Sequence, residues 1–115
     1  MVAHYFCMSK QRTIREFVAM GFKVYRVGAT DSNVEQGWTQ FEVLIKSHSK
    51  KFTYVMRKML IMQGLLEKTG VMCSNFIIKG TASPTVYIVE FRCLLMRNRP
   101  IVKESQNFGK SNKLV

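Results

Sequence analysis

Hydrophobic and polar residues alternate along this chain in two different periods, which predict strands and helices. The segments with the composition or the two-residue period of strands are Val2–Met8, Phe22–Val27, Trp38–Lys46, Met72–Gly80 and Thr85–Met96. Gly28–Gly37 is rich in Gly, Asp, Ser and Asn and predicts a loop, and Gly80–Pro84 predicts a turn. In Trp38–Lys46 the alternation predicts one buried and one wet face, with Trp38 on the wet face opposite Phe41.

Two further segments follow the 3.6-residue period of amphipathic helices. The first begins after Ser9, or at a capping box formed by Thr13 and Glu16, and ends near Gly21. Its expected buried stripe is Ile14, Phe17, Val18 and Gly21. The second has Ser49 as its candidate cap and Gly70 as its stop. Its expected stripe is Phe52, Val55, Met56, Met59, Met62, Gln63 and Leu66.

This order of elements predicts a single α+β domain over residues 1–96. Two helices with one apolar stripe each are buried most simply on one face of a mainly antiparallel sheet of four to five strands, as a two-layer sandwich. The first six elements have the β-α-β-β-α-β order of ferredoxin-like folds, although order alone leaves the strand positions open. Residues 97–115 have little periodicity and predict a basic, mobile C-terminal tail.

The net charge of the chain is the first sequence feature that indicates a function. Eighteen Lys and Arg against seven Asp and Glu give a formal net charge of +11 in 115 residues, while 47% of the residues are hydrophobic. A compact domain must carry that charge on its surface, where the charges repel one another unless a polyanion neutralises them. The composition therefore favours a nucleic-acid-binding protein, acting on RNA or single-stranded DNA as a regulator or accessory factor.

The basic residues that cluster along the chain are the candidate phosphate ligands. Those on or beside the two predicted helices are Arg12, Arg15, Lys50, Lys51, Arg57 and Lys58. A second group beyond the last strand consists of Arg97, Arg99 and Lys103. Lys50 and Lys51 stand before a helix N-terminus, whose free backbone N–H groups favour anions.

Trp38 is the candidate for stacking on a base. Gly37-Trp38 followed by Phe41 is similar to the aromatic core of the third-strand signature of RNA-recognition-motif domains, which share this element order and stack bases on sheet aromatics. The chain departs from that signature at Gln40, where a second aromatic is expected, and at Gln36, where a basic residue is expected. No family is assigned on this basis, and Trp38 alone is retained, either as a stacking residue or as a tryptophan packed on the core edge.

The sequence offers little for catalysis or for a cofactor. Asp31 is the sole aspartate and the glutamates are scattered, whereas two-metal hydrolysis needs clustered carboxylates. Neither zinc-ligand spacing nor a phosphate-binding glycine loop occurs. We therefore expect no metal, no cofactor and no enzymatic activity. One enzymatic alternative is a metal-independent ribonuclease, in which His48 beside Lys50 and Lys51 would supply the acid or base.

A protein partner is the main alternative to nucleic acid. The same basic residues could form salt bridges with an acidic partner protein, and Met56, Met59 and Met62 could give it an adaptable apolar surface. A small basic protein with many methionines and no catalytic cluster is also typical of viral or phage accessory proteins.

Cysteine usage and hydropathy bear on location. Cys7, Cys73 and Cys93 are odd in number, far apart and set in apolar stretches, which predicts buried thiols in a reducing compartment. The first eight residues are too short for a signal peptide, and no run approaches the length of a membrane span. The sequence thus predicts a cytoplasmic protein.

Overall fold

A computed structural model describes residues 8–33 and 38–95 of the chain. Its two helices are α1 (Lys10–Ala19) and α2 (Phe52–Lys68). Its strands are β1 (Lys23–Asn33), β2 (Trp38–Lys46), β3 (Val71–Cys73), β4 (Ile77–Gly80) and β5 (Val86–Leu95). The bounds of β2 are those that the alternation predicts.

The strands form one antiparallel sheet in the order β1-β2-β5-β3, with β4 also paired to β5. In the register, Phe41 lies opposite Phe91 and Gln40 opposite Arg92, so side chains of equal parity on β2 and β5 share a face. The predicted class, a two-layer α+β sandwich with an open and mainly antiparallel sheet, is confirmed. The predicted first strand lies outside the described residues except for Met8, which is buried and belongs to no strand.

The core lies between the helices and one face of the sheet. Phe91 is at its centre, stacked on Phe41 at 5.3 Å and on Phe76 at 4.5 Å between ring centroids, while Phe17 of α1 approaches it at 6.0 Å. The buried α2 residues are Val55, Met59, Met62 and Leu66. Cys73 and Cys93 are buried and lie opposite each other on β3 and β5, whereas Cys7 is outside the described residues. Burial of these two cysteines agrees with the prediction.

Ser9 is the N-cap of helix α1, because its side chain accepts a hydrogen bond from the Arg12 amide, so the helix does not begin at the alternative capping box. Its predicted stripe is partly wrong. Phe17 is buried, but Ile14 and Val18 are 40% and 54% exposed, and Thr13 is buried instead. Burial of Thr13 is possible because its hydroxyl donates to the Ser9 carbonyl at 3.0 Å, which satisfies the polar atom.

Helix α2 is narrower in its buried face than the sequence predicts. Phe52 and Met56 are 48% and 41% exposed. The predicted cap is also wrong, because Lys51 is the N-cap residue, without a side-chain cap, and the Ser49 hydroxyl accepts from the Lys51 amide. The predicted stop is confirmed, since Gly70 follows the helix with a φ of +90°.

The predicted loop at Gly28–Gly37 begins too early. Strand β1 continues to Asn33, with Gly28, Ala29 and Thr30 paired to β2. Backbone pairing requires no large side chain, so a segment of small residues extends the ladder where composition alone predicts a loop. Residues 34–37, the rest of the predicted loop, lie outside the described residues.

The predicted strand Met72–Gly80 is divided into β3 and β4 in the structure. Cys73 pairs with Cys93 and Ile77 with Glu90, so three residues on this edge oppose two on β5. The interruption is a β-bulge over residues 74–76. It turns Phe76 into the core, against Phe91.

Candidate functional site

The predicted site residues within the described part of the chain lie on two opposite faces of the molecule. Trp38 stands on the sheet face turned away from the helices, because its neighbours in alternation, Thr39 and Phe41, are buried on the helix side. The basic residues of α1 and α2 belong to the helical layer. Since the sheet separates the two faces, a short ligand contacting Trp38 does not reach the α2 lysines. The tail residues Arg97, Arg99 and Lys103 lie outside the described residues.

The helical layer holds exposed cations near the start of α2. Lys50, Lys51 and Arg57 are exposed, and the Lys58 ammonium lies 5.5 Å from the centroid of the Tyr54 ring. The helix has no side-chain N-cap and no acidic residue in its first turn. The Tyr54 N–H donates to the Lys51 carbonyl at 3.1 Å, while the N–H groups of the first two helical residues, Phe52 and Thr53, have no side-chain cap and face the position that an anion would take. The exposed cations and the uncapped helix end make the start of α2 electropositive, as a phosphate-binding site requires.

Arg12 is held within the fold, whereas Arg15 is exposed. The Arg12 guanidinium donates to the Thr69 hydroxyl at 2.9 Å and lies 3.5 Å from a carboxylate oxygen of Glu16. These bonds connect the start of α1 to the end of α2. Arg12 thus has a positioning role between the helices, which competes with any role in binding phosphate.

The open sheet face carries a second set of cations that the sequence patterns do not single out. They come from four strands and are Lys23, Arg26, Lys46, Lys79 and Arg92. All of them are exposed. From Trp38 to Lys46 this face is about 27 Å long at about 3.4 Å per residue. Lys23 and Lys46 lie directly opposite each other on β1 and β2. Such a like-charge pair is unfavourable unless an anion lies across it.

Trp38 lies against one of these cations. The Arg92 guanidinium is 5.5 Å from the centroid of the indole ring, within cation–π distance. Trp38 is half-buried, so part of its ring remains accessible. The pair presents a planar aromatic group and a planar cation side by side, the two side-chain types on which nucleic-acid bases stack.

Two carboxylates lie in the middle of the open face. Glu42 of β2 and Glu90 of β5 are directly opposite each other. A carboxylate oxygen of Glu90 accepts from the Lys79 ammonium at 3.2 Å, which neutralises it, while Glu42 is exposed. The cations of this face therefore exceed its free carboxylates.

His48 does not stand in a catalytic arrangement within the described residues. Its ring packs edge-on against Tyr54, with ring centroids 4.8 Å apart, and no hydrogen bond joins it to another side chain in this part of the chain. The described ranges also contain no group of three or more His, Cys, Asp or Glu residues that could hold a metal ion. Met59 and Met62 are core residues, so of the three methionines considered for a partner surface only Met56 is exposed.

Sequence reasoning missed the open-face cations because they are dispersed along the chain. Lys50, Lys51, Arg57 and Lys58 are close in sequence and attract attention as a cluster. Lys23, Lys79 and Arg92 come to lie on one surface only through the register of four strands. One sequence signal could have found a cation of this face. The two-residue alternation of β2 places Lys46 on the same face as Trp38.

Comparison of the chain with models of known protein families, with curated proteins and with solved structures found no match. Neither described helix combines the length and apolar character that a membrane span requires.

Proposed function

We propose that this protein binds single-stranded nucleic acid, RNA or DNA, across the open face of its sheet. The observation that carries the proposal is one open sheet face that has exposed cations from four strands along its length and the Trp38–Arg92 pair at one end. In this arrangement the cations neutralise phosphates, and the aromatic and guanidinium planes stack on bases. This combination is the general mode by which proteins hold single strands. The role is that of a binding protein without catalysis.

Charge supports this choice of ligand. Each Lys or Arg that neutralises a phosphate releases condensed counterions, which makes a polyanion the most favourable partner for a chain of net charge +11. An open sheet face admits a single strand with its bases turned toward the protein. A duplex hides those bases, so stacking on Trp38 distinguishes the two ligands.

A titration monitored by tryptophan fluorescence tests the proposal. Trp38 is the single tryptophan of the chain, so the signal has one source. We expect single strands to quench it and duplexes of equal length to leave it nearly unchanged. Trp38→Ala should cost about 1–3 kcal/mol in single-strand affinity, whereas Trp38→Phe, the matched control, should retain most of it.

One outcome of these measurements would contradict binding on the open face. If a labelled single strand binds with full affinity to Trp38→Ala, and the native protein shows no quenching, the open face is not the binding surface. Binding would then be assigned to the cations of the helical layer.

An acidic protein partner remains the second candidate, favoured by exposed apolar residues on α2. Phe52, Met56 and Leu60 recur every four residues on one flank of the helix, and Leu60 is 62% exposed. Arg57 lies on the same helix and is exposed. An acidic segment with apolar residues would match this flank, and it gains support if nucleic acid fails to bind at low salt.

A further inference from the structure

A depression of about 500 Å³ lies on the open face, beside the Trp38–Arg92 pair. Its walls come from β2, β5 and the bulge between β3 and β4. The side chains that line it and enter the argument are Gln40, Ser74, Asn75, Ile77, Glu90 and Arg92. Its volume is in the range of small-ligand sites.

The bulge creates the depression and keeps it open. At residues 74–76 the edge of the sheet leaves the regular ladder. Ser74 fixes the departing chain with two bonds to one residue of β5. Its amide donates to the Arg92 carbonyl at 2.8 Å, and its hydroxyl accepts from the Arg92 amide at 2.9 Å. The site is thus formed by the backbone before any ligand arrives.

The lining has the chemistry of base recognition. The exposed side chain of Ile77 supplies an apolar wall. Gln40 and Asn75 carry amides that both donate and accept. Glu90, held by Lys79 at 3.2 Å, can only accept while ionised. An acceptor-only group favours a base that presents an exocyclic amino group and disfavours one that presents a carbonyl at the same position. The guanidinium of Arg92, which can only donate, lies against the Trp38 ring at 5.5 Å, which leaves Glu90 as the discriminating group.

We propose that this depression binds a nucleobase with an exocyclic amino group, with Glu90 as the acceptor of that amino group. The proposal rests on the proposed function, because the base belongs to the single strand lying across the open face. It adds a preference that phosphate contacts and stacking do not provide, since neither distinguishes cytosine from uracil.

Oligocytidine and oligouridine of equal length are the matched probes. Their bases differ at position 4, where cytosine carries an amino group and uracil carries a carbonyl. Affinities are measured at neutral pH and one salt concentration, and the readout is their ratio, which cancels the general electrostatic contribution. We expect the native protein to bind oligocytidine about fivefold or more tightly. Glu90→Gln should bring the ratio close to one, because its amide accepts from one base and donates to the other.

Glu42→Gln is the matched control. It makes the same change of charge on the same face, directly opposite Glu90, at a side chain that does not line the depression. Its ratio should equal that of the native protein. Asn75→Ala, an exposed change on the bulge that keeps the Lys79 ion pair, should weaken both oligonucleotides and leave their ratio unchanged, because an amide can bond to either base.

The two proposals fail in different ways. If neither oligonucleotide binds at low salt, the proposed function itself is overturned. If both bind with equal affinity, or if Glu42→Gln changes the ratio as much as Glu90→Gln does, the base site is overturned while nucleic-acid binding stands.

Discussion

At the scale of the residue, the structure separates side chains that hold the fold from side chains that are available to a ligand. Arg12 and Thr13 were polar positions on a predicted helix, and both form contacts that stabilise it. Trp38 and Arg92 instead pair on the solvent side of the sheet. The same residue types thus have different roles, according to whether their polar atoms find partners inside the fold.

His48 gives the prediction that belongs to this scale. Because its ring packs against Tyr54 and no hydrogen bond among the described residues joins it to an acid or base, we expect His48→Ala to leave nucleic-acid affinity unchanged within about twofold. Purified protein in the presence of a chelator should not cleave RNA. Cleavage by the native protein that disappears in His48→Ala would establish the ribonuclease alternative and refute a binding-only role.

At the scale of the element, two glycines of one helix predict opposite effects on stability. Gly64 lies inside α2, where an added Cβ meets no atom within 4 Å, and Gly70 follows the helix with a φ of +90°. Gly64→Ala should raise the free energy of unfolding by about 0.5–1 kcal/mol, because alanine loses less backbone entropy. Gly70→Ala should lower it by about 1–2 kcal/mol, the cost of a left-handed conformation.

The measurement is denaturant unfolding of both variants and of the native protein. The free energy of unfolding should fall with denaturant concentration at the same slope in all three, which shows that they expose the same surface on unfolding. Equal stabilities of the two variants would mean that Gly70 does not adopt the left-handed conformation that follows α2.

The elements were the part of the fold that the sequence could best predict. Regular alternation defined β2, and the glycine stops defined the helix ends. The errors have physical reasons. Thr13 counts as polar in a periodicity analysis, yet a local hydrogen bond allows it to be buried. Gly28 and Ala29 count as loop residues, yet backbone pairing to β2 keeps them in a strand. In both places backbone bonding overrides the residue-type signal.

At the scale of the whole molecule, the site was less predictable than the fold. Trp38 could be placed on the wet face from its own strand. Its companion Arg92 lies in a strand more than fifty residues along the chain. Only the strand order and the register bring the two together. The depression depends on a bulge between β3 and β4, where composition predicted one continuous strand.

The salt dependence of single-strand binding tests the central claim most directly. Lys79 is paired with Glu90, so four open-face cations remain for phosphates, and they predict a log–log slope of about −2.8, at about −0.7 per phosphate. Changing Lys23, Arg26 and Lys46 together to Gln should reduce the magnitude of the slope, to about −0.7. The matched triple change of Lys50, Lys51 and Lys58 to Gln removes the same charge from the helical layer and should leave the slope unchanged. A slope near zero for the native protein, or a loss of slope in the helical triple alone, would contradict the account.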